Sequence, residues 1–170
     1  MIEELTVSEV LRSELGDMPP HARVWIYQAD EPLDDKASNV MKNDIDLFLS
    51  GWNAHGKQLT AAGTFLYNRF LILAVDEQKA GASGCSIDSS VNFVKKAAKK
   101  FGVDFFNRRL LTYISQRGIE QRELEALPDL YKSGEVKEHT PVFNNLVNTV
   151  EQLHNEWVLP VSKSWHKNFL

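Results

Sequence analysis

The stretch that most limits what this chain can become is the unbroken apolar run at 70–75, Phe-Leu-Ile-Leu-Ala-Val. A half-buried strand alternates apolar with polar residues, so a run without alternation predicts a strand covered on both faces. It is far short of the roughly 20 residues a membrane helix needs, and no other run is longer, so no membrane segment is expected.

The neighbours of this run set its context. Val24, Trp25, Ile26 and Tyr27 predict a first strand over 23–28, and 30–35 with Pro32 reads as the turn leaving it. Asp35 is placed to cap a helix in which Met41, Ile45, Phe48 and Trp52 share one face. Residues 59–67 and 70–75 read as a hairpin joined through Asn68 and Arg69. Ile87, Val91, Val94, Ala98 and Phe101 predict a second helix, with Lys99 and Lys100 at its negative end and Gly102 as its stop. A fourth strand follows over 109–115.

Strand, helix, strand, strand, helix, strand is the order of the ferredoxin-like, split β-α-β arrangement. The expected fold class is therefore α+β, with a four-stranded antiparallel sheet ordered 4-1-3-2 and two helices on one face. The 70–75 strand lies inside that sheet, so its other face must be covered by the rest of the chain. That rest comprises an N-terminal helix, carrying Leu5, Val7, Val10, Leu11 and Leu15 and ended by Gly16, Pro19 and Pro20, and a mostly helical C-terminal extension. In the extension, 120–131 reads as a helix through Leu124, Leu127 and Leu130. Residues 141–157 read either as one helix begun at Thr140 and Pro141 or as a short strand followed by a helix, since Thr149 to Gln152 also resembles a capping box. Trp157, Trp165 and Phe169 are expected to pin the tail. The expected organisation is one domain over 1–170, with a core at 21–116 and the extension at 117–170.

The chain is 43% hydrophobic and 25% charged, ordinary for a globular protein, and its net charge of -4 gives no general attraction to phosphate backbones or anionic membranes. Nucleic acid is accordingly an unfavoured partner; Lys95, Lys96, Lys99, Lys100, Arg108 and Arg109 read more simply as a solvated helix face and its sequel. One cysteine allows no intrachain disulfide, and the acidic first residues, with Glu3, Glu4, Glu9 and Glu14, do not resemble a signal peptide, so a cytoplasmic protein is expected.

Candidate chemistry collects at the connection between the third strand and the second helix. The expected topology brings Asp76, Glu77, Cys85 and Asp88 to the same sheet edge as His55, with His21 and Arg117 further out. Cys85 at a helix N-terminus would have its thiolate favoured, with His55 as base and Asp76 orienting it. The plainer reading makes Cys85 a packed residue, Gly81, Ala82, Ser83 and Gly84 a tight approach, and Ser86 the helix cap. Glu77, Ser83, Gly84, Ser86 and Asp88 are the corresponding ligand-binding candidates. As an anion nest the 81–86 loop lacks a cation: a phosphate loop needs lysine after its last glycine, and Cys85 stands there. Asp76, Glu77, Asp88 and His55 as hard-metal ligands are weaker than their reading as loop and cap residues, so neither metal nor cofactor is expected. His139, His154 and His166 fall in no ligand spacing.

Three motifs carry a resemblance: 52–56 (Trp-Asn-Ala-His-Gly), 70–77 ending in Val-Asp-Glu, and 81–88 (Gly-Ala-Ser-Gly-Cys-Ser-Ile-Asp). The chain resembles, over 23–165, a family of small uncharacterised bacterial proteins, mainly of the Bacteroidetes group, often labelled "ABC transporter ATPase". The resemblance implies that the loop and His55 are family features. It implies no ATPase, because neither a phosphate loop ending in glycine-lysine-serine or threonine nor a serine-glycine-glycine signature is present. The functional expectation is a binding or interaction module for a protein partner or small ligand, with a homodimer through a sheet surface or exposed edge among its forms. The alternative is an enzyme using Cys85, His55 and Asp76.

Overall fold

The computed structural model describes residues 4–170 and is a mixed α+β structure. In chain order its elements are α1 (Glu4–Leu15), β1 (Arg23–Gln28), α2 (Asp35–Gly51), β2 (Asn53–Ala54), β3 (Lys57–Gln58), β4 (Ala61–Leu66), β5 (Phe70–Val75) and α3 (Gly84–Phe101). Then come β6 (Leu110–Ser115), β7 (Gly118–Glu123), α4 (Leu127–Ser133), β8 (Pro141–Phe143), α5 (Val150–Glu156) and β9 (Val158–Pro160), with short 3₁₀ turns at Leu124–Ala126, Val161–Lys163 and Trp165–Phe169.

The apolar run is β5, the middle strand of an antiparallel sheet ordered β1-β5-β4, and all of it is buried. Because strand side chains alternate, β5 serves two cores. Leu71, Leu73 and Val75 meet Met41 and Ile45 of α2 and Val94 and Ala97 of α3. Phe70, Ile72 and Ala74 meet Val7, Leu11 and Leu15 of α1, Val150 and Leu153 of α5, and Phe143 and Trp157. The second face is thus covered by the two ends of the chain, as the unbroken run requires. The Leu5 side chain lies outside the described residues.

The strand pairing does not confirm the 4-1-3-2 order. The expected fourth strand, β6, lies in a separate sheet ordered β7-β6-β8-β9 and shares no ladder with β1. Side chains occupy the place of that ladder. The Gln28 amide, buried at the end of β1, donates to Thr112 Oγ1 on β6 and to Gln121 Oε1 on β7, while its own oxygen accepts from Asn145 Nδ2 at 2.8 Å. Asn145 Oδ1 in turn accepts from the Trp157 indole at 2.9 Å. A buried network satisfied in this way is costly to dissolve, so it fixes β6 at side-chain distance.

Further departures have local causes. Residues 118–123 form β7 instead of the start of a helix: Gly118, at φ 113, closes a two-residue hairpin after β6, and the ladder then overrides the helix-favouring Glu120, Gln121, Arg122 and Glu123. Of the alternatives at 141–157, the strand followed by a helix is the one formed, with Thr149 Oγ1 capping α5 by accepting from the Gln152 amide. Asp34, not Asp35, caps α2. The buried face of α3 runs through Ser86, Ser90, Val94 and Ala97, one position off the larger apolar residues Ile87 and Val91. Trp157 is fully buried, Trp165 is partly buried against the second sheet, and Phe169 is exposed.

Candidate functional site

The separation of β6 from β1 leaves an edge strand inside a cleft. On the inner side, Arg23, Trp25 and Tyr27 pair with β5; on the outer side, Val24, Ile26 and Gln28 direct their backbone groups away from it, as strand geometry demands. Two bonds confirm that direction at the ends: Val24 donates its N–H to the Asn148 carbonyl at 2.9 Å, and two residues beyond Gln28 the Asp30 N–H donates to the Asp104 carbonyl at 2.9 Å. The ladder with Asn148 stops there, because the Asn148 N–H turns to Gln152 Oε1 at 3.0 Å. Among the described residues, nothing bonds the Val24 carbonyl, either backbone group of Ile26, or the Gln28 N–H.

This edge floors a cleft of about 310 Å³ walled by 105–108, Leu110, Phe143, 145–147 and Trp165. Its mouth carries two of the chain's few exposed large apolar side chains, Leu146 at 68% exposure and Phe106 at 41%. Phe106 packs edge-on against Tyr27, ring centroids 5.8 Å apart. Burial pushes the Tyr27 phenol up, opposed by a Ser90 hydrogen bond and by the Arg108 charge. Arg108 is the single charged residue lining the cleft, and it makes no ion pair among the described residues.

The loop singled out in the sequence lies elsewhere and is built differently from the expectation. Ser83, not Ser86, is the cap of α3: its hydroxyl accepts from the Ser86 N–H at 3.1 Å, and Ser86 Oγ accepts from the Ser83 N–H at 2.7 Å. Cys85 is exposed and lines a depression of about 570 Å³ together with His55, Ser83, Ser86, Phe48 and Trp52. His55 sits at φ 50 in the turn between β2 and β3. No hydrogen bond joins Cys85 to His55 among the described residues.

Asp76 does not orient His55. Its carboxylate meets His21 Nε2 at 3.2 Å and accepts from the Gln78 N–H at 3.2 Å, which ties the end of β5 to the start of β1. Glu77 pairs with Arg23 at 3.6 Å, and that guanidinium lies 4.7 Å over the Trp25 ring. Gly84, the first residue of α3, and Asp88, just past its first turn, are both exposed. Arg117 is in another part of the molecule, bonded to Glu120 and Glu135 at the second sheet. No group of three His, Cys, Asp or Glu side chains converges as metal ligands among the described residues.

The β1 cleft was invisible to motif reasoning because its recognition groups are backbone atoms. Its one sequence signal is the polar Gln28 ending an apolar strand, the residue that holds β6 away. No protein-family model, curated protein or solved structure matches the chain.

Proposed function

We propose that this protein is a binding module whose recognition surface is the cleft along the outer edge of β1. The observation that carries this reading is the coincidence of unused backbone donors and acceptors with an apolar mouth, in a cleft of ligand size. Exposed large apolar residues grouped at one cleft mark an interaction site more than scattered ones do. Membership of the small bacterial family whose three motifs the chain resembles, a cytoplasmic location, and a kinship of the α+β core with the ferredoxin-like, split β-α-β arrangement belong to the same proposal. In support of the location, no helix among the described residues is long and apolar enough to cross a membrane. A homodimer joined edge to edge at β1 is disfavoured by the walls, since two recessed edges cannot approach.

The test is a screen of fragments and linear peptides by ligand-observed NMR, repeated on Phe106→Ala and Leu146→Ala. Ligands that lose binding on both variants support the cleft. Ligands that ignore both variants and lose binding on Cys85→Ser overturn it.

That last outcome would favour a second reading, thiol chemistry, which rests on Cys85 and His55 lining one depression. It predicts that Cys85 reacts with iodoacetamide faster than free cysteine at neutral pH and that His55→Ala slows the reaction. Equal rates remove it.

A further inference from the structure

We infer that the occupant of the β1 cleft is an extended segment of a partner protein, added to β1 as a further strand with an acidic residue facing Arg108. This deepens the proposed binding function and rests on it. Among the described residues, four backbone groups stand unbonded in alternating order along the slot: the Val24 carbonyl, the Ile26 N–H, the Ile26 carbonyl and the Gln28 N–H. An extended chain satisfies such an array at its own natural spacing, whereas a compact ligand meets one or two of its members. The free stretch spans about 13 Å, from four residue steps of roughly 3.3 Å each, enough for a short strand.

The two edges of this sheet are treated differently, which gives the slot its specificity. On β4, the odd-numbered backbone groups also point outward, because the even-numbered ones pair with β5, a ladder that the Asp76 N–H continues to the Thr60 carbonyl at 2.9 Å. There, Lys42 of α2 and Glu14 of α1 pair at 3.6 Å between helices on opposite faces, closing a charged strap over the strand. Charged side chains over an edge are how sheets resist unwanted pairing. Among the described residues the β1 edge has no such strap and is instead walled, so only a narrow, protruding segment reaches it.

Charge narrows the partner further. The chain as a whole is acidic, at -4, yet among the described residues the cleft is lined by one cation and no carboxylate. An acidic side chain or a C-terminal carboxylate on the incoming strand would pair with Arg108, while Phe106 and Leu146 accept apolar side chains on alternate positions.

The experiment uses the full chain and linear peptides selected on it from a display library. Selected peptides are expected to slow hydrogen exchange of the Ile26 and Gln28 amides by about tenfold or more. Methylating one alternate set of peptide amides should weaken binding about tenfold, from a lost hydrogen bond and a stranded acceptor, while methylating the other set should not. Arg108→Gln should weaken acidic peptides by roughly threefold and leave unchanged their neutral analogues, in which Asp or Glu is replaced by Asn or Gln and the C-terminus is amidated. Peptides that map to the cleft without amide protection or alternation would overturn strand addition and leave the binding module standing, as would fragments that bind there when no peptide can be selected. Failure of both fragments and peptides at the cleft overturns both. Preference for neutral peptides unaffected by Arg108→Gln would overturn the acidic partner.

Discussion

The Lys42 ammonium and the Glu14 carboxylate, on helices that cover opposite faces of one sheet, meet at 3.6 Å across the outer edge of β4. Glu14 is held for this role by Thr64, whose hydroxyl donates to it at 2.7 Å. Both charges are partly exposed, so the pair contributes little stability, on the order of 0–1 kcal/mol. Its consequence is steric and electrostatic closure of a strand edge.

Lys42→Ala should therefore leave the unfolding midpoint almost unchanged and promote self-association through β4. Sedimentation velocity across a concentration series checks this, with added Lys42→Arg as the variant that restores the strap. A monomeric Lys42→Ala at all concentrations would show that the pair does not guard the edge.

Within the same strand, Gly63 is needed for the close approach of α2. A methyl placed there would stand 3.0 Å from Ile45 Cγ2, 3.0 Å from Leu73 Cδ2 and 3.1 Å from the Ile72 carbonyl. Gly→Ala at an open site stabilises by about 0.4–1 kcal/mol through the unfolded state, but overpacking costs about 1–3 kcal/mol, and here backbone is among the obstacles. Gly63→Ala should lower stability by about 1–2 kcal/mol in urea titrations. Combining it with Ile45→Ala should cost less than the sum of the two single changes, because the second removes one of the clashing groups.

These features show which parts of the molecule were legible in its sequence. Period and length were: the 70–75 run demanded two covered faces, and β5 has them. The α3 stop at Gly102, with φ 67, and the left-handed backbone of Asn68, with φ 59, also followed from residue chemistry. The turn itself is centred on Tyr67, at φ 53, and Asn68 instead of Asn68 and Arg69, closed by the Arg69 N–H on the Leu66 carbonyl. What escaped were long-range choices between equal-looking partners. Strand 110–115 has one edge on its hairpin neighbour β7, and its other edge, where β1 was expected, pairs with β8. Gln28, Gln121 and Asn145 hold β1 off through bonds between residues scattered along the chain. Likewise Asp76 had two histidines within topological reach, and His21 took it. The Cys85 loop was read correctly as a helix start and misread in its cap, since Ser83 and Ser86 are chemically alike and only geometry ranks them.

His166 makes stability depend on acid. It is fully buried, its Nδ1 lies 2.7 Å from Ser164 Oγ, its Nε2 has no partner among the described residues, and burial pushes its pKa down to about 4. An unfolded histidine titrates near 6.5, so between those values the unfolded chain binds the extra proton. Its contribution is complete above 6.5 and is lost as pH falls toward 4. The His154 pKa is also lowered, by burial and by Arg12, so it acts in the same direction. Urea midpoints measured from neutral pH into this range should fall less steeply for His166→Gln than for the wild type. Parallel slopes would show that the imidazole is not held neutral.

Tyr113 predicts the opposite dependence at the alkaline end. Its ring is buried beneath the second sheet, and its hydroxyl donates to Glu135 Oε1 at 2.7 Å. Burial first, then the hydrogen bond and charge of Glu135, raise its pKa to about 12, and the same bond is the largest cause holding Glu135 below the usual carboxylate range. An unfolded tyrosine loses its proton near 10. Folding therefore favours the neutral phenol: the contribution is complete below 10 and declines as pH rises toward 12, by at most about 1.4 kcal/mol per pH unit. Tyr27 and Tyr67 are raised as well, so the informative quantity is the difference between wild type and Tyr113→Phe. At neutral pH that substitution should cost about 1 kcal/mol, because Arg117 at 2.9 Å still partners Glu135. Above pH 10 the two stability curves should converge, with the late, high-pH phenolate titration in the absorbance of the wild type missing from the variant. Curves that stay parallel into strong alkali would mean that Tyr113 ionises with the unfolded chain and that its bond to Glu135 does not hold the proton.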